Sequence, residues 1–142
     1  MRLIRIPSYG SRIEQIATIG DWLIVREYGR VFASDAKSIK WRPMSGFHDV
    51  ASEPDGDRVF VLLDSLRPAL LNPDLHFDWT SDRVLPVAAG SDIEQPIFRY
   101  GVGYVPEGFG SIHEIKNKTL RVVRPADTQE ALKASVTTIS PR

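Results

Sequence analysis

Ile13-Glu14-Gln15-Ile16-Ala17 and Ile93-Glu94-Gln95-Pro96-Ile97 are near copies of one opening, and Phe47-His48-Asp49-Val50-Ala51 is a third version. Each opening leads into short apolar runs in the same order. The first passes through Trp22-Leu23-Ile24-Val25 and Val31-Phe32-Ala33-Ser34 to Trp41. The second passes through Val59-Phe60-Val61-Leu62 and Ala69-Leu70-Leu71-Asn72 to Trp79. The third passes through Val102-Gly103-Tyr104-Val105 and Ser111-Ile112-His113 to Leu120. The closing positions 41, 79 and 120 lie 38 and 41 residues apart. A fixed period of this size marks a repeat architecture, in which no unit buries its apolar face alone and neighbours must stack.

The runs themselves read as strands. They are short, rich in β-branched and aromatic residues, and separated by Gly, Pro, Asp and Asn. Ten prolines and ten glycines leave little room for a long helix. The one helical candidate is Asp127 to Lys133, with Asp127 or Thr128 as its cap. Asp55-Gly56 has the composition of a type I′ hairpin turn. Gly101-Val102-Gly103 and Gly108-Phe109-Gly110 lead into no helix, so they read as turns or bulges. The sequence therefore predicts an all-β fold of three blade-like, four-stranded antiparallel repeats, with a small β-barrel or sandwich as the alternative. The expected repeats are about 13–44, 47–82 and 93–124 of a single domain 1–142, with arms 1–12 and 125–142.

The end of each unit carries a second pattern. Asn72-x-Asp74-x-His76-x-Asp78-Trp79 is followed by Thr80; Ser34-x-Ala36-x-Ser38-x-Lys40-Trp41 has Asp35 one place early; His113-x-Ile115-x-Asn117-x-Thr119-Leu120 closes the third copy. Together these resemble, in degenerate form, the Asp-box turns of sialidase-type (BNR) β-propellers, over residues 13 to 124. The resemblance implies a partial β-propeller, with Ser34, Trp41, Asn72, Asp74, Trp79, Asn117 and Thr119 as structural turn residues and no catalytic role for them. Physically, such a turn needs a short polar side chain to accept from its own backbone amides, and an aromatic ring to fill space between sheets. A closed ring usually needs about four to eight blades. Three units therefore raise the expectation of self-association or docking in a multi-protein particle.

Composition sets further bounds. A chain of 142 residues, 42% hydrophobic and 25% charged, is of ordinary globular make-up. Eighteen basic residues balance eighteen acidic ones, so specific nucleic-acid binding is not expected. With no cysteine there is no disulfide framework, thiolate zinc site or thiol nucleophile. Met1-Arg2-Leu3-Ile4-Arg5-Ile6 is too short and too charged for a signal-peptide core, and no apolar run approaches the roughly 20 residues that cross a bilayer. Membrane insertion is not expected, and a cytoplasmic or virion setting is.

The chemistry-bearing residues are few. His48, His76 and His113 are the only histidines. His48 precedes Asp49 on an expected strand, where alternation sends the two side chains to opposite faces. His76 and His113 are expected in the box turns. Asp74, His76 and Asp78 alternate, but turn geometry accounts for them without a cation. No catalytic residue, metal or cofactor is assigned. The functional expectation is a structural or assembly subunit acting through protein–protein contacts, with a bacteriophage virion or tail as its setting. Two alternatives stand beside it. A carbohydrate-binding module would use Trp22, Tyr100 and Tyr104 as aromatic platforms. A small bacterial toxin-neutralising protein would need no motif that the chain displays.

Overall fold

The structure, a computed structural model, describes residues 13–35, 37, 40–108 and 110–123. The two arms and the helical candidate at 127–133 lie outside the described residues. Within them the chain forms three four-stranded antiparallel sheets, each in simple up-and-down order. Sheet 1 contains β1 (Ile13–Ile19), β2 (Trp22–Glu27), β3 (Arg30–Asp35) and β4 (Trp41–Pro43). Sheet 2 contains β5 (Phe47–Ser52), β6 (Val59–Leu63), β7 (Arg67–Leu71) and β8 (Phe77–Thr80). Sheet 3 contains β9 (Ile97–Arg99), β10 (Val102–Pro106), β11 (Ile112–Lys116) and β12 (Thr119–Val123).

Tight turns hold the strands in register. Tyr28-Gly29, Tyr100-Gly101 and Asn117-Lys118 each join two strands directly, with φ of 56° and 71°, 52° and 74°, and 51° and 63°. Two consecutive left-handed residues are the type I′ turn, whose twist matches that of the flanking strands. The turn expected at Asp55-Gly56 is different. Residues 53–58 form a longer loop in which Gly56 N donates to Glu53 O at 3.1 Å, and Asp55, not Gly56, has positive φ (55°). Pro54 fixes the first central position, so the left-handed residue falls on the second, as in a type II turn. Of the Gly101 and Gly103 pair, only Gly101 is in a turn; Gly103 is a buried strand residue.

Side-chain alternation builds two cores from these sheets. Ala17, Ile19, Ile24, Val31 and Ala33 of sheet 1 meet Phe47, Val50, Val59, Val61, Ala69 and Leu71 of sheet 2. The other face of sheet 2, with Ala51, Phe60 and Leu62, meets Phe98, Val105 and Ile115 of sheet 3. Strand β6 therefore faces both cores, and Val59 through Leu62 are all 0% exposed. Burying each such side chain stabilises the fold by about 1.5–3 kcal/mol. Gly103 makes the second core close-packed: a Cβ there would lie 2.5 Å from Cε1 of the Phe60 ring. Phe60 stacks on Phe98 with ring centres 6.0 Å apart.

Candidate functional site

The three repeated openings lead into the first strands of the three sheets, β1, β5 and β9, and residues of all three openings line one basin. In β1 the pairing with β2 slips between Ile13 and Gln15; in β5 the pairing with β6 slips between Phe47 and Asp49. These matched bulges each insert one residue and re-aim the side chains around them. As a result Gln15 Nε2 donates to Asp49 Oδ1 at 2.6 Å, and Val50 N donates to Gln15 Oε1 at 2.9 Å. One carboxamide thus clamps sheet 1 to sheet 2, with Gln15 5% and Asp49 4% exposed. The bulge also corrects the expectation that His48 and Asp49 point apart, because His48 Nδ1 hydrogen-bonds Asp49 Oδ2. Alternation fails where a residue is inserted.

Around this clamp lies a polar basin of about 580 Å³, lined by Glu14, Arg26, His48, Asp49, Glu94 and Gln95 among others. Arg26 pairs with Glu14 at 3.2 Å. Asp49 orients the imidazole of His48 through Nδ1. No group of three or more His, Asp or Glu able to hold a metal occurs among the described residues.

The long connection from β8 to β9 is tied down by a second polar pair. Glu107 Oε2 meets His113 Nε2 at 2.9 Å, and Glu107 Oε1 accepts from Ala88 N at 2.7 Å. The Ala88 amide, and then His113, hold the Glu107 carboxyl below the ordinary carboxylate range, against the opposing effect of burial. His113 is therefore not a turn residue as expected; it sits in β11 and is 2% exposed.

The turn residues named from sequence fall in three settings. Asn72 Oδ1 accepts from Asp74 N at 2.9 Å and His76 N at 3.1 Å, while Asn72 Nδ2 donates to Asp78 Oδ1 at 2.9 Å. Asp78 in turn pairs with Arg58. In the first unit Asp35, rather than Ser34, caps the turn by accepting from Lys37 N at 2.6 Å; Ser34 is a buried strand residue. In the third unit Asn117 supplies the left-handed turn residue and Thr119 Oγ1 donates to Lys116 O at 2.5 Å. Trp79 packs into the core between sheets 2 and 3. Trp41 is half-buried on β4, opposite Ser34.

The three aromatic platforms do not come together. Trp22 packs on the first core with the Arg42 guanidinium 5.0 Å from its ring centre. Tyr100 stands on the tip of the β9–β10 turn, 93% exposed, with its N donating to Glu53 Oε2. Tyr104 lies in the middle of sheet 3, beside Ile97.

Register reveals which sheet face is open. Cross-strand partners form the row Ala17–Ile24–Ala33–Arg42 in sheet 1. The matching row in sheet 2 is Ala51–Phe60–Leu70–Trp79. In sheet 3 it is Ile97–Tyr104–Glu114–Arg121. The first two rows look towards the following sheet, which covers Ala17, Ile24, Ala51 and Phe60. The third looks towards no sheet among the described residues, and Ile97 is 51% exposed. Sequence reasoning singled out Tyr104 for another reason and passed over Ile97. The available signal was the repeat itself, which sets Ile97 level with Ala17 and Ala51.

No protein-family model matches the chain, and no curated protein matches it. Solved β-propeller structures do. BamB from Moraxella catarrhalis is similar over 77% of this chain and 33% of its own, at 11% identity and a TM-score of 0.56. YCF48 from Cyanidioschyzon merolae is similar over 97% of this chain and 46% of its own, at 13% identity and a TM-score of 0.59. Human WBSCR16 is similar over 88% of this chain and 41% of its own, at 12% identity and a TM-score of 0.56. The fold is a partial β-propeller, and the chain spans between a third and half of these proteins. No helix among the described residues is long and apolar enough to cross a membrane.

Proposed function

We propose that this chain is an assembly subunit that works through protein–protein contact, with the outward face of sheet 3 as its docking surface. The observation that carries the reading is the third register row. In sheets 1 and 2 the equivalent row is sealed by another sheet, whereas Ile97 and Tyr104 meet none among the described residues. A sheet face of this kind gains stability from whatever covers it, since apolar area removed from water contributes about 25 cal/mol per Å². Glu114 and Arg121, paired at 3.3 Å on the same face, form the polar half of the patch. The degenerate Asp boxes fit this role as structural turns, because Asn72 spends its hydrogen bonds on its own loop. A multi-protein particle, such as a virion or tail, is a setting in which such a subunit would serve. The carbohydrate reading draws less support, with Trp22 packed in sheet 1, away from Tyr100 and Tyr104 on the β9–β10 hairpin.

Site-specific photo-crosslinking tests the proposal. A photoreactive residue in place of Tyr104, in cells that make the protein natively, should yield a protein adduct. The same residue in place of Lys118, on the exposed β11–β12 turn, should yield little. Equal labelling at both positions, or none at 104, would remove the docking surface.

A further inference from the structure

Sheets 2 and 3 meet unevenly, and the unevenness leaves a cavity. Between β6 and β10 they touch so closely that a Cβ at Gly103 would lie 2.5 Å from Cε1 of Phe60. Further out, Leu70 of β7 and Trp79 of β8 are only half-buried. Beside them lies a cavity of about 190 Å³, with Phe60, Phe98 and Ile115 as the rest of its apolar wall. Phe98, Gly103 and Ile115 are cross-strand neighbours on the inner face of sheet 3, opposite the face proposed for docking. The size and the walls select an occupant. An apolar cavity of about 150 Å³ lined by Leu, Ile and Phe takes up benzene. The space here is somewhat larger, so one aromatic ring fits, and Phe60, Trp79 and Phe98 offer it ring contacts.

The rim selects a charge. It is formed by two turns of sheet 3, through the exposed Gly101, Asn117 and Lys118. Among the described residues that line the cavity, Lys118 alone is charged. Neither its ammonium nor the Asn117 carboxamide has a hydrogen-bond or ion-pair partner among the described residues. Both groups are N–H donors, which suits a carboxylate. Lys118 also stands in an unusual place. The Tyr28-Gly29 and Tyr100-Gly101 turns have glycine at their second left-handed position, with φ of 71° and 74°, whereas the third has Lys118 there, with φ of 63°. A side chain crowds the backbone in that conformation and glycine does not, which is why Asn-Gly is the favoured pair for such a turn. A strained residue at the rim of a cavity points to a use for its side chain.

We infer that this cavity binds a small aromatic carboxylic acid, with its ring among Phe60, Trp79 and Phe98 and its carboxylate on Lys118 and Asn117. The apolar wall supplies affinity for the ring, and the two donors fix its orientation. The site stands apart from the docking surface, which lies on the other face of the sheet, so either can fail without the other.

Two-dimensional NMR of the isotope-labelled full chain, titrated with phenylacetate, tests this. The amides of Gly101, Gly103 and Lys118 and the indole of Trp79 should shift together, with a dissociation constant of about 1 mM, the scale for so small a ligand. The indoles of Trp22 and Trp41 should not move. Benzyl alcohol, which keeps the ring and loses the charge, should bind tenfold or more weakly. Lys118→Gly should weaken phenylacetate binding tenfold or more and leave the melting temperature equal or higher, because glycine takes that φ without strain. Asn117→Asp, which the turn accepts equally well, should also weaken binding by adding a like charge. No shift of the cavity amides at about 20 mM phenylacetate would overturn the inference. So would equal binding of benzyl alcohol. A Lys118→Gly protein that melts lower and binds as well as the wild type would assign the lysine to the fold and overturn it as the anchor. Tighter binding of a pentapeptide ending in phenylalanine would overturn the free acid as the ligand and assign the cavity to a chain end.

Discussion

Sheets 2 and 3 are built to the same plan and end differently. Along one row sheet 2 carries Ala51, Phe60, Leu70 and Trp79, and along the equivalent row sheet 3 carries Ile97, Tyr104, Glu114 and Arg121. The first is a sealed inter-sheet surface, closed by Phe98, Val105 and Ile115. The second keeps an apolar inner half and turns polar in its outer half. On the proposed reading, the difference marks a surface that a partner protein covers.

The largest effect should come from breaking the sealed row. Phe60→Ala should cost about 3–5 kcal/mol in urea unfolding, the range for removing a buried aromatic ring. A loss below about 1 kcal/mol would show that sheets 2 and 3 are not packed as described. Gly103→Ala should cost about 1–3 kcal/mol by overpacking, because its new methyl would meet the Phe60 ring. Combined with Phe60→Leu it should cost less than the two single losses added together. Strict additivity would mean that the two residues do not touch.

The clamp gives a sharper contrast. Gln15→Ala should cost about 1–3 kcal/mol, since it leaves the buried Asp49 Oδ1 and the Val50 amide without their partner. Gln95→Ala, at the equivalent and exposed place in the third unit, should stay within about 0.5 kcal/mol, as exposed substitutions do. Equal losses would erase the distinction between the buried clamp and the exposed glutamine. A pH series addresses the polar tie between the β8–β9 connection and sheet 3. The Glu107 carboxyl is held low by the Ala88 amide and His113, so the stability it contributes is present above its unfolded pKa and is lost as pH falls through the folded one. Below the ordinary carboxylate range the wild type should lose stability faster than Glu107→Gln. Parallel acid limbs would count against that tie.

Much of this fold was legible because its signals are local or periodic. Val59-Phe60-Val61-Leu62 reads as a strand buried on both faces, and it is one. The repeated openings align the three units without any knowledge of their contacts. What escaped depended on single insertions and distant partners. One extra residue at Phe47–Asp49 brought His48 and Asp49 together, and alternation has no means of announcing a bulge. His113 looked like a turn residue because the box pattern was laid over it, but its setting is fixed by Glu107 and the remote Ala88 amide. Asp55, not Gly56, took the left-handed conformation because Pro54 had already fixed the turn type. For the candidate surface, the residues could be aligned from sequence. Their exposure could not, since it depends on which sheet lacks a neighbour.

The central claim is that sheet 3 presents a row that another protein surface covers. The most direct test is photo-crosslinking from position 104, beside position 118, in cells that make the protein natively. The proposal predicts protein adducts from position 104 and few from position 118. Equal labelling at the two positions, or none at 104, would contradict it.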